Sequence, residues 1–160
     1  MLQPDGKLIA VGQFWKDSTF GGSGFGVARY LTAASSAPQL LTEENSEKAV
    51  ALDSGTMVRD PFPVFTTFNF SADHRTRLML FATNVDTQPG AAVVTVQAED
   101  SQHRIVSLPV ECTVKVPGFD WLSEICVKLP NELTTGDIYI SLSQGGVTSN
   151  KALVKIKASP

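Results

Sequence analysis

The sequence is poor in cysteine, in clustered basic residues and in long apolar runs, and each shortage excludes a class of protein. Two cysteines and two histidines occur in 160 residues, without a CxxC pair, so neither a disulfide-rich scaffold nor a structural zinc site is expected. The 13 Lys and Arg residues are scattered and the net charge is −3, which gives no electrostatic footprint for nucleic acid. No segment approaches the roughly 18 apolar residues that span a bilayer, so membrane insertion is not expected.

The residues that are present alternate between apolar and polar in short runs. Apolar residues make up 42% of the chain and charged residues 18%, a balance that can bury a core. The runs are rich in Val, Ile, Thr and Phe and are separated by Gly, Pro, Asn and Asp, which is typical of β-strands and turns. The first two predicted strands, 7–14 and 24–31, are expected to pair across a glycine-rich loop.

A segment of small, polar and acidic residues interrupts this alternation over 32–48. We interpret it as a linker between a first unit, 1–31, and a domain over 49–160. A short helix over 42–48, capped by Thr42, is an alternative for its second half.

Seven further strands are predicted in the second part of the chain. They cover 49–58, 75–84, 91–100, 104–116, 123–130, 137–144 and 151–157. Their spacing leaves no room for helical crossovers, so the pattern predicts an antiparallel β-sandwich of immunoglobulin-like (Ig-like) size. Alternation assigns Ile125, Val127 and Leu129 to the core. The same set of core residues includes Ile138, Ile140 and Leu142. The strand 151–157 is predicted to lie at an edge, with Lys151, Lys155 and Lys157 solvated.

The same alternation argues against a bond between the two cysteines. Cys112 shares a predicted face with Val110 and Val114, which is the core pattern, whereas Cys126 shares one with Glu124 and Lys128, which is the surface pattern. One thiol is then expected to point inward and the other outward, and a disulfide requires converging side chains. Only a bulge in one strand would change this expectation.

Residues 2–31 resemble one copy of the bacterial delta-sixty repeat. The likeness rests on a QPDGK turn, a strand ending in glycine and the later string FGVARYL, which matches an F-x-x-x-R-Y strand. Such repeats resemble propeller blades and occur in tandem. One copy is found here, so the resemblance implies the last unit of an array that continues upstream.

Residues 117–156 resemble the end of an Ig-like domain found at the C-termini of many secreted bacterial proteins. The matching residues are Pro117, Gly118, Phe119, Leu122, Pro130, Gly136, Asp137, Ser149 and Asn150. The likeness extends over about 49–157 and departs at Cys126, where the pattern usually has Asn. It implies an Ig-like antiparallel β-sandwich preceded by a β-hairpin from a propeller-like repeat. It also implies an extracellular or cell-surface location, with any export signal outside this sequence, and offers no catalytic residues to carry over.

The polar residues of the sequence form no complete motif of catalysis or cofactor binding. The string GGSG at 21–24 lacks the following helix of a nucleophile elbow or a phosphate-binding loop. His74 and His103 fall in predicted turns, and the carboxylate pairs Glu99 with Asp100 and Asp60 with Asp73 lack the pattern of a calcium loop. No catalytic, cofactor-binding or metal-binding residue is therefore assigned.

Aromatic residues give the one candidate contact surface. Its members are Trp15, Phe20, Phe25, Tyr30 and Trp121. Aromatic rings contribute large contact areas. The favoured interpretation of the first four residues is nevertheless the core of a blade that has lost its neighbours, and that of Trp121 is a loop plug over the end of the sandwich.

Two functions follow from these observations. A third, a hydrolase, is supported only by polar residues that form no catalytic pair. The leading hypothesis is a non-catalytic structural or interaction module at the C-terminus of an exported bacterial protein, contacting a protein or glycan at the cell surface or other domains of its parent chain. The alternative is a carbohydrate- or surface-binding module that uses the N-terminal aromatics.

Overall fold

The chain forms two all-β units. A computed structural model describes residues 7–16, 22–31, 37–66 and 71–159, the first two ranges as backbone only. The units are Met1–Ser36 and Ala37–Pro160. The described ranges contain β-strands and no helix, and hence no helix able to cross a bilayer.

The first unit is an antiparallel hairpin. Lys7–Lys16 (β1) pairs with Gly22–Leu31 (β2), with Lys7 opposite Leu31 and Lys16 opposite Gly22. This is the pairing that the alternation predicts. The side chains of the N-terminal aromatics lie outside the described part of the chain, so the contact surface assigned to Trp15, Phe20, Phe25 and Tyr30 stays a prediction.

The second unit consists of two sheets that pack as a sandwich. The strands of the first sheet are Gln39–Leu40 (β3), Ala51–Asp53 (β4), Arg77–Thr83 (β6), Val110–Val116 (β9) and Phe119–Lys128 (β10). Their order is β3-β6-β10-β9, with β4 also paired to β6. The strands of the second sheet are Phe62–Pro63 (β5), Thr95–Glu99 (β7), Ile105–Leu108 (β8), Gly136–Gln144 (β11), Val147–Thr148 (β12) and Ala152–Lys157 (β13). Their order is β5-β13-β11-β7-β8, with β12 also paired to β11.

The core lies between the two sheets and is supplied by alternate residues of their strands. The predicted inward-facing sets are confirmed, since all six side chains are buried: Ile125, Val127, Leu129, Ile138, Ile140 and Leu142. Leu78 and Leu80 of β6 and Val154 and Ile156 of β13 complete the same cluster. Alternation succeeds here because each strand buries one face and exposes the other.

Residues 37–48 belong to the sandwich, which differs from the linker expected over 32–48. Leu40 is buried in the core, β3 pairs with β6, and Thr42 forms a β-bridge with Ala49. No helix occurs over 42–48. The polar composition of the segment obscured Leu40, whose buried side chain anchors it.

Three predicted strands have different limits or neighbours, each for a local reason. The strand over 49–58 is interrupted after Asp53, whose carboxylate accepts the N–H groups of Gly55 and Thr56 and closes a turn. The strand over 104–116 divides at Pro109, with β8 in one sheet and β9 in the other. The strand over 151–157 is not an edge, because β5 pairs with the side of β13 away from β11. Its three lysines are exposed, as the alternation predicts.

Candidate functional site

The two cysteines are joined by a disulfide, which contradicts the expectation of two free thiols. Cys112 of β9 lies directly opposite Cys126 of β10, with 4.9 Å between their Cα atoms. Both side chains are half-buried on the outer face of the first sheet. The bond therefore joins neighbouring strands within one sheet and does not cross the core.

A β-bulge at Glu111 explains why the expectation of two free thiols is wrong. Val110 pairs with Val127 and Cys112 pairs with Cys126, so Glu111 is an extra residue in β9. An extra residue reverses the alternation beyond it. Val110 consequently packs on the core, whereas Cys112 turns outward.

The rest of β9 keeps the reversed alternation. Val114, expected in the core, is 47% exposed. Lys115 lies on the inner side, where its Nζ donates to the carbonyl oxygen of Val85 at 3.1 Å. An inward-pointing charge and a bulge on the outermost strand of a sheet both oppose pairing with another chain.

A carboxylate lies beside the disulfide. Glu124 precedes Cys126 by two residues on the same face of β10, and its Oε1 is 3.3 Å from the Cys126 Sγ. A disulfide sulfur has no proton to donate, so this contact is not a hydrogen bond. In the register, Glu124 lies between Phe81 of β6 and Val114 of β9. No ion pair of Glu124 occurs within the ranges 37–66 and 71–159.

The hairpin between β9 and β10 ends in two exposed aromatic rings. Pro117 and Gly118 form the turn, and the φ of +81° at Gly118 suits the third position of a type II turn. Phe119 and Trp121 follow, 50% and 58% exposed, with perpendicular rings whose centroids are 6.0 Å apart. An exposed Trp121 on β10 does not fit the interpretation of this residue as a loop plug over the end of the sandwich.

The backbone explains why Trp121 projects. Phe119 pairs with Val116 and Ser123 pairs with Lys115, so the three residues between Phe119 and Ser123 have no partners on β9. This larger irregularity carries the tryptophan away from the regular ladder. We call Phe119 and Trp121 the tip pair.

The carboxylates considered as catalytic or calcium-binding pairs hold cations of their own chain. Asp60 pairs with Lys48 at 2.7 Å and Asp100 with Arg104 at 2.7 Å. Glu99 accepts from Lys151, whose hydrogen bond holds the pKa of Glu99 below its usual range.

A second set of charges lies on the outer face of the first sheet. Arg77 bonds to both Asp73 and Glu111. The Arg77 guanidinium holds the pKa of Asp73 well below its usual range, and Asp73 in turn raises the pKa of Arg77. The two histidines lie in turns with positive φ, and His103 contacts Glu99 at 2.6 Å.

A cleft of about 250 Å³ opens at one end of the sandwich, between the β6–β7 loop and β9. The side-chain amide of Gln144 forms hydrogen bonds with main-chain groups in the lining of this cleft. Its Nε2 donates to the carbonyl oxygens of Asp86 and Ala92, and its Oε1 accepts the N–H of Asp86. Asp86 is the only titratable side chain in the lining, so this cleft brings no acid–base pair together.

Comparison with known proteins found no protein-family model that matches the chain and no curated protein that matches it.

The sequence placed Trp121 in the candidate contact surface but missed Phe119 as its partner, and it missed the juxtaposition of the two cysteines with Glu124. The cysteine pair depends on the bulge in β9, which no local residue pattern marks. The only available signal was the 14-residue separation, which suits two strands joined by a tight hairpin.

Proposed function

We propose that the chain is a non-catalytic structural and interaction module of an exported bacterial protein, with an Ig-like sandwich that presents the tip pair to a protein or glycan at the cell surface. The tip pair is the observation that carries this proposal. Exposed aromatic rings contribute large contact areas at low cost in side-chain entropy and dominate many binding interfaces.

The hairpin that carries the tip pair is preorganised. A two-residue turn closes its end, and the disulfide ties its two strands further along the ladder. A rigid contact loses less conformational entropy on binding than a flexible loop does. This supports a role for the hairpin in recognition.

Two further features support the remainder of the proposal. A disulfide persists in oxidising compartments and is rare in the cytosol, which supports export. The candidate acidic residues form ion pairs with cations of their own chain, and a carboxylate held in this way is poorly suited to general acid–base work.

The experiment compares binding of the labelled 160-residue chain to bacterial surface polysaccharides, peptidoglycan and intact bacterial cells. The test variant is Phe119→Ala with Trp121→Ala. The matched control is Val93→Ala, which also removes exposed apolar surface, since Val93 is 82% exposed. Residues of a binding hot spot contribute about 2 kcal/mol or more. We expect the tip variant to bind at least about 30-fold more weakly, and the control to bind as the wild-type chain does.

A third variant separates the proposal from the alternative. Replacing Trp15 and Tyr30 by Ala removes two of the N-terminal aromatics. Loss of binding in this variant alone would favour the carbohydrate- or surface-binding module based on the first unit. Unchanged binding by the tip variant, or no binding by the wild-type chain to any of these surfaces, would contradict the proposed role of the tip pair.

A further inference from the structure

The disulfide and its neighbouring carboxylate bring three metal-ligating groups together on the surface. One Sγ atom from each of Cys112 and Cys126 and one oxygen of Glu124 all lie within 4.8 Å of one another. The three residues are half-buried on one face of β9 and β10. Thiolate and carboxylate are both ligands of zinc, with bonds of about 2.3 Å and about 2.1 Å.

The environment of Glu124 independently favours a cation at this place. Its carboxylate faces a sulfur that has no proton to donate, and no cationic side chain pairs with it among the described residues. Its neighbours across the sheet are the apolar Phe81 and Val114. A half-buried carboxylate without a counter-ion loses part of its hydration without compensation, and a metal ion would supply the missing positive charge.

The geometry points to a zinc site that the disulfide masks: we propose that, when the Cys112–Cys126 bond is reduced, the two thiolates and the Glu124 carboxylate bind one Zn²⁺ ion. The fourth position faces solvent and holds water. Three protein ligands with one open position is a common zinc arrangement.

The backbone holds the ligands in place without the disulfide. Cys126 lies on β10, which is hydrogen-bonded to β6 on one side and to β9 on the other. Directly opposed residues of an antiparallel pair stay about 4.5–5.5 Å apart at their Cα atoms. After reduction, zinc binding therefore requires only that the two sulfurs separate to the spacing that one zinc ion bridges.

A phosphine serves as the reductant of the Cys112–Cys126 disulfide. The phosphine and one water break the Sγ–Sγ bond, giving two thiols and the phosphine oxide. Binding of Zn²⁺ then releases the two thiol protons. The disulfide and the zinc site exclude each other because both use the same sulfurs.

The test uses the 160-residue chain, reduced with a phosphine and then freed of the phosphine under anaerobic conditions. Zinc is titrated against a chromophoric chelator, with circular dichroism recorded before and after. We expect the reduced chain to bind one Zn²⁺ and the oxidised chain to bind none. Glu124→Gln should weaken binding at least about tenfold, since even residues that only orient a ligand change affinity by about 10- to 100-fold. Glu132→Gln, an exposed carboxylate on a loop, is the control and should bind as the wild-type chain does.

Each other outcome overturns the proposal. Equal affinity in the wild-type chain and Glu124→Gln would show chelation by two thiols alone, without the third ligand. No binding by the reduced, folded chain would show that the strands hold the sulfurs in an unsuitable position. Loss of the folded spectrum on reduction would show that the pair has a purely structural role.

Discussion

The side-chain amide of Asn150 pairs with both main-chain polar groups of Leu40, which lies 110 positions earlier. The N–H of Leu40 donates to the Asn150 Oδ1 at 2.8 Å, and the Asn150 Nδ2 donates to the carbonyl oxygen of Leu40 at 3.1 Å. Leu40 belongs to the first sheet, and Asn150 lies two residues before the last strand of the second, which begins at Ala152. The amide thus imitates a β-bridge between the two layers.

The serine before Asn150 secures this corner. The Ser149 Oγ accepts the N–H of Leu142 at 3.0 Å and donates to the carbonyl oxygen of Asn150 at 2.6 Å. Ser149 and Asn150 are two of the residues on which the resemblance to the Ig-like domain rests. Their contacts here are structural.

We predict that Asn150→Ala destabilises the second unit by about 2 kcal/mol, because it leaves a partly buried N–H and carbonyl without partners. Asn150→Asp should destabilise at least as much, since its second oxygen would face the Leu40 carbonyl. Urea unfolding measures both. Asn131→Ala, at an exposed turn position, is the control and should change stability by less than about 0.5 kcal/mol. Equal stability of Asn150→Ala and the control would show that the amide is dispensable.

The second prediction concerns the contribution of the disulfide to stability. Replacing both cysteines by Ala should lower the unfolding free energy by about 3 kcal/mol, the value for a closed loop of about 15 residues. The denatured, unreduced wild-type chain should show no titratable thiol, and Cys112→Ser alone should expose one thiol and form cross-linked dimers. Two titratable thiols in the denatured wild-type chain would restore the original interpretation of two free cysteines.

These two features show what the sequence could and could not predict. Alternation predicted the buried face of β11, and that of β10 from Ser123 onward, because each strand there buries one side and exposes the other. It failed at Cys112 because the bulge at Glu111 is a property of the pairing between two strands. It failed for residues 37–48 because Leu40 is fixed by Asn150, a partner too distant in sequence to be seen from local composition.

The candidate site could likewise be predicted only in part from the sequence. Trp121 was assigned to a contact surface because the large contact area of an aromatic ring is a property of residue type. Its exposure, and its contact with Phe119, depend on the irregular register after Val116, which only the folded hairpin defines. The neighbourhood of Glu124 depends on three strands at once.

The ion pair between Asp73 and Arg77 predicts a specific response to acid. Arg77 lowers the pKa of Asp73 in the folded chain, so its stabilisation is present above the ordinary aspartate pKa of about 3.9. As the pH falls below that value, the unfolded chain takes up the proton first and the stabilisation is lost. Wild type should therefore be more stable than Asp73→Asn near pH 6, and the difference should shrink towards about pH 2. Asp120→Asn, which replaces an exposed aspartate at the hairpin end, is the control. A difference for Asp73→Asn that stays constant with pH would show that the ion pair adds nothing.

The last prediction concerns the start of the second unit. The loss of alternation over 32–48 suggests that a chain beginning at Glu47 would be as stable as the 160-residue chain. The structure indicates otherwise, because that truncation removes β3, the buried Leu40 and the main-chain partners of Asn150.

A chain beginning at Ala37 should unfold cooperatively with a free energy near that of the 160-residue chain, since the core residues described in the sandwich all follow that position. A chain beginning at Glu47 should be less stable by about 3 kcal/mol or more, from the burial of Leu40 and its hydrogen bonds. Asn150→Ala, made in both truncated chains, isolates the contact. Its effect should be about 2 kcal/mol in the longer chain and close to zero in the shorter one, because two changes that remove the same interaction are not additive. The same loss in both chains would mean that Asn150 stabilises the sandwich through groups other than Leu40.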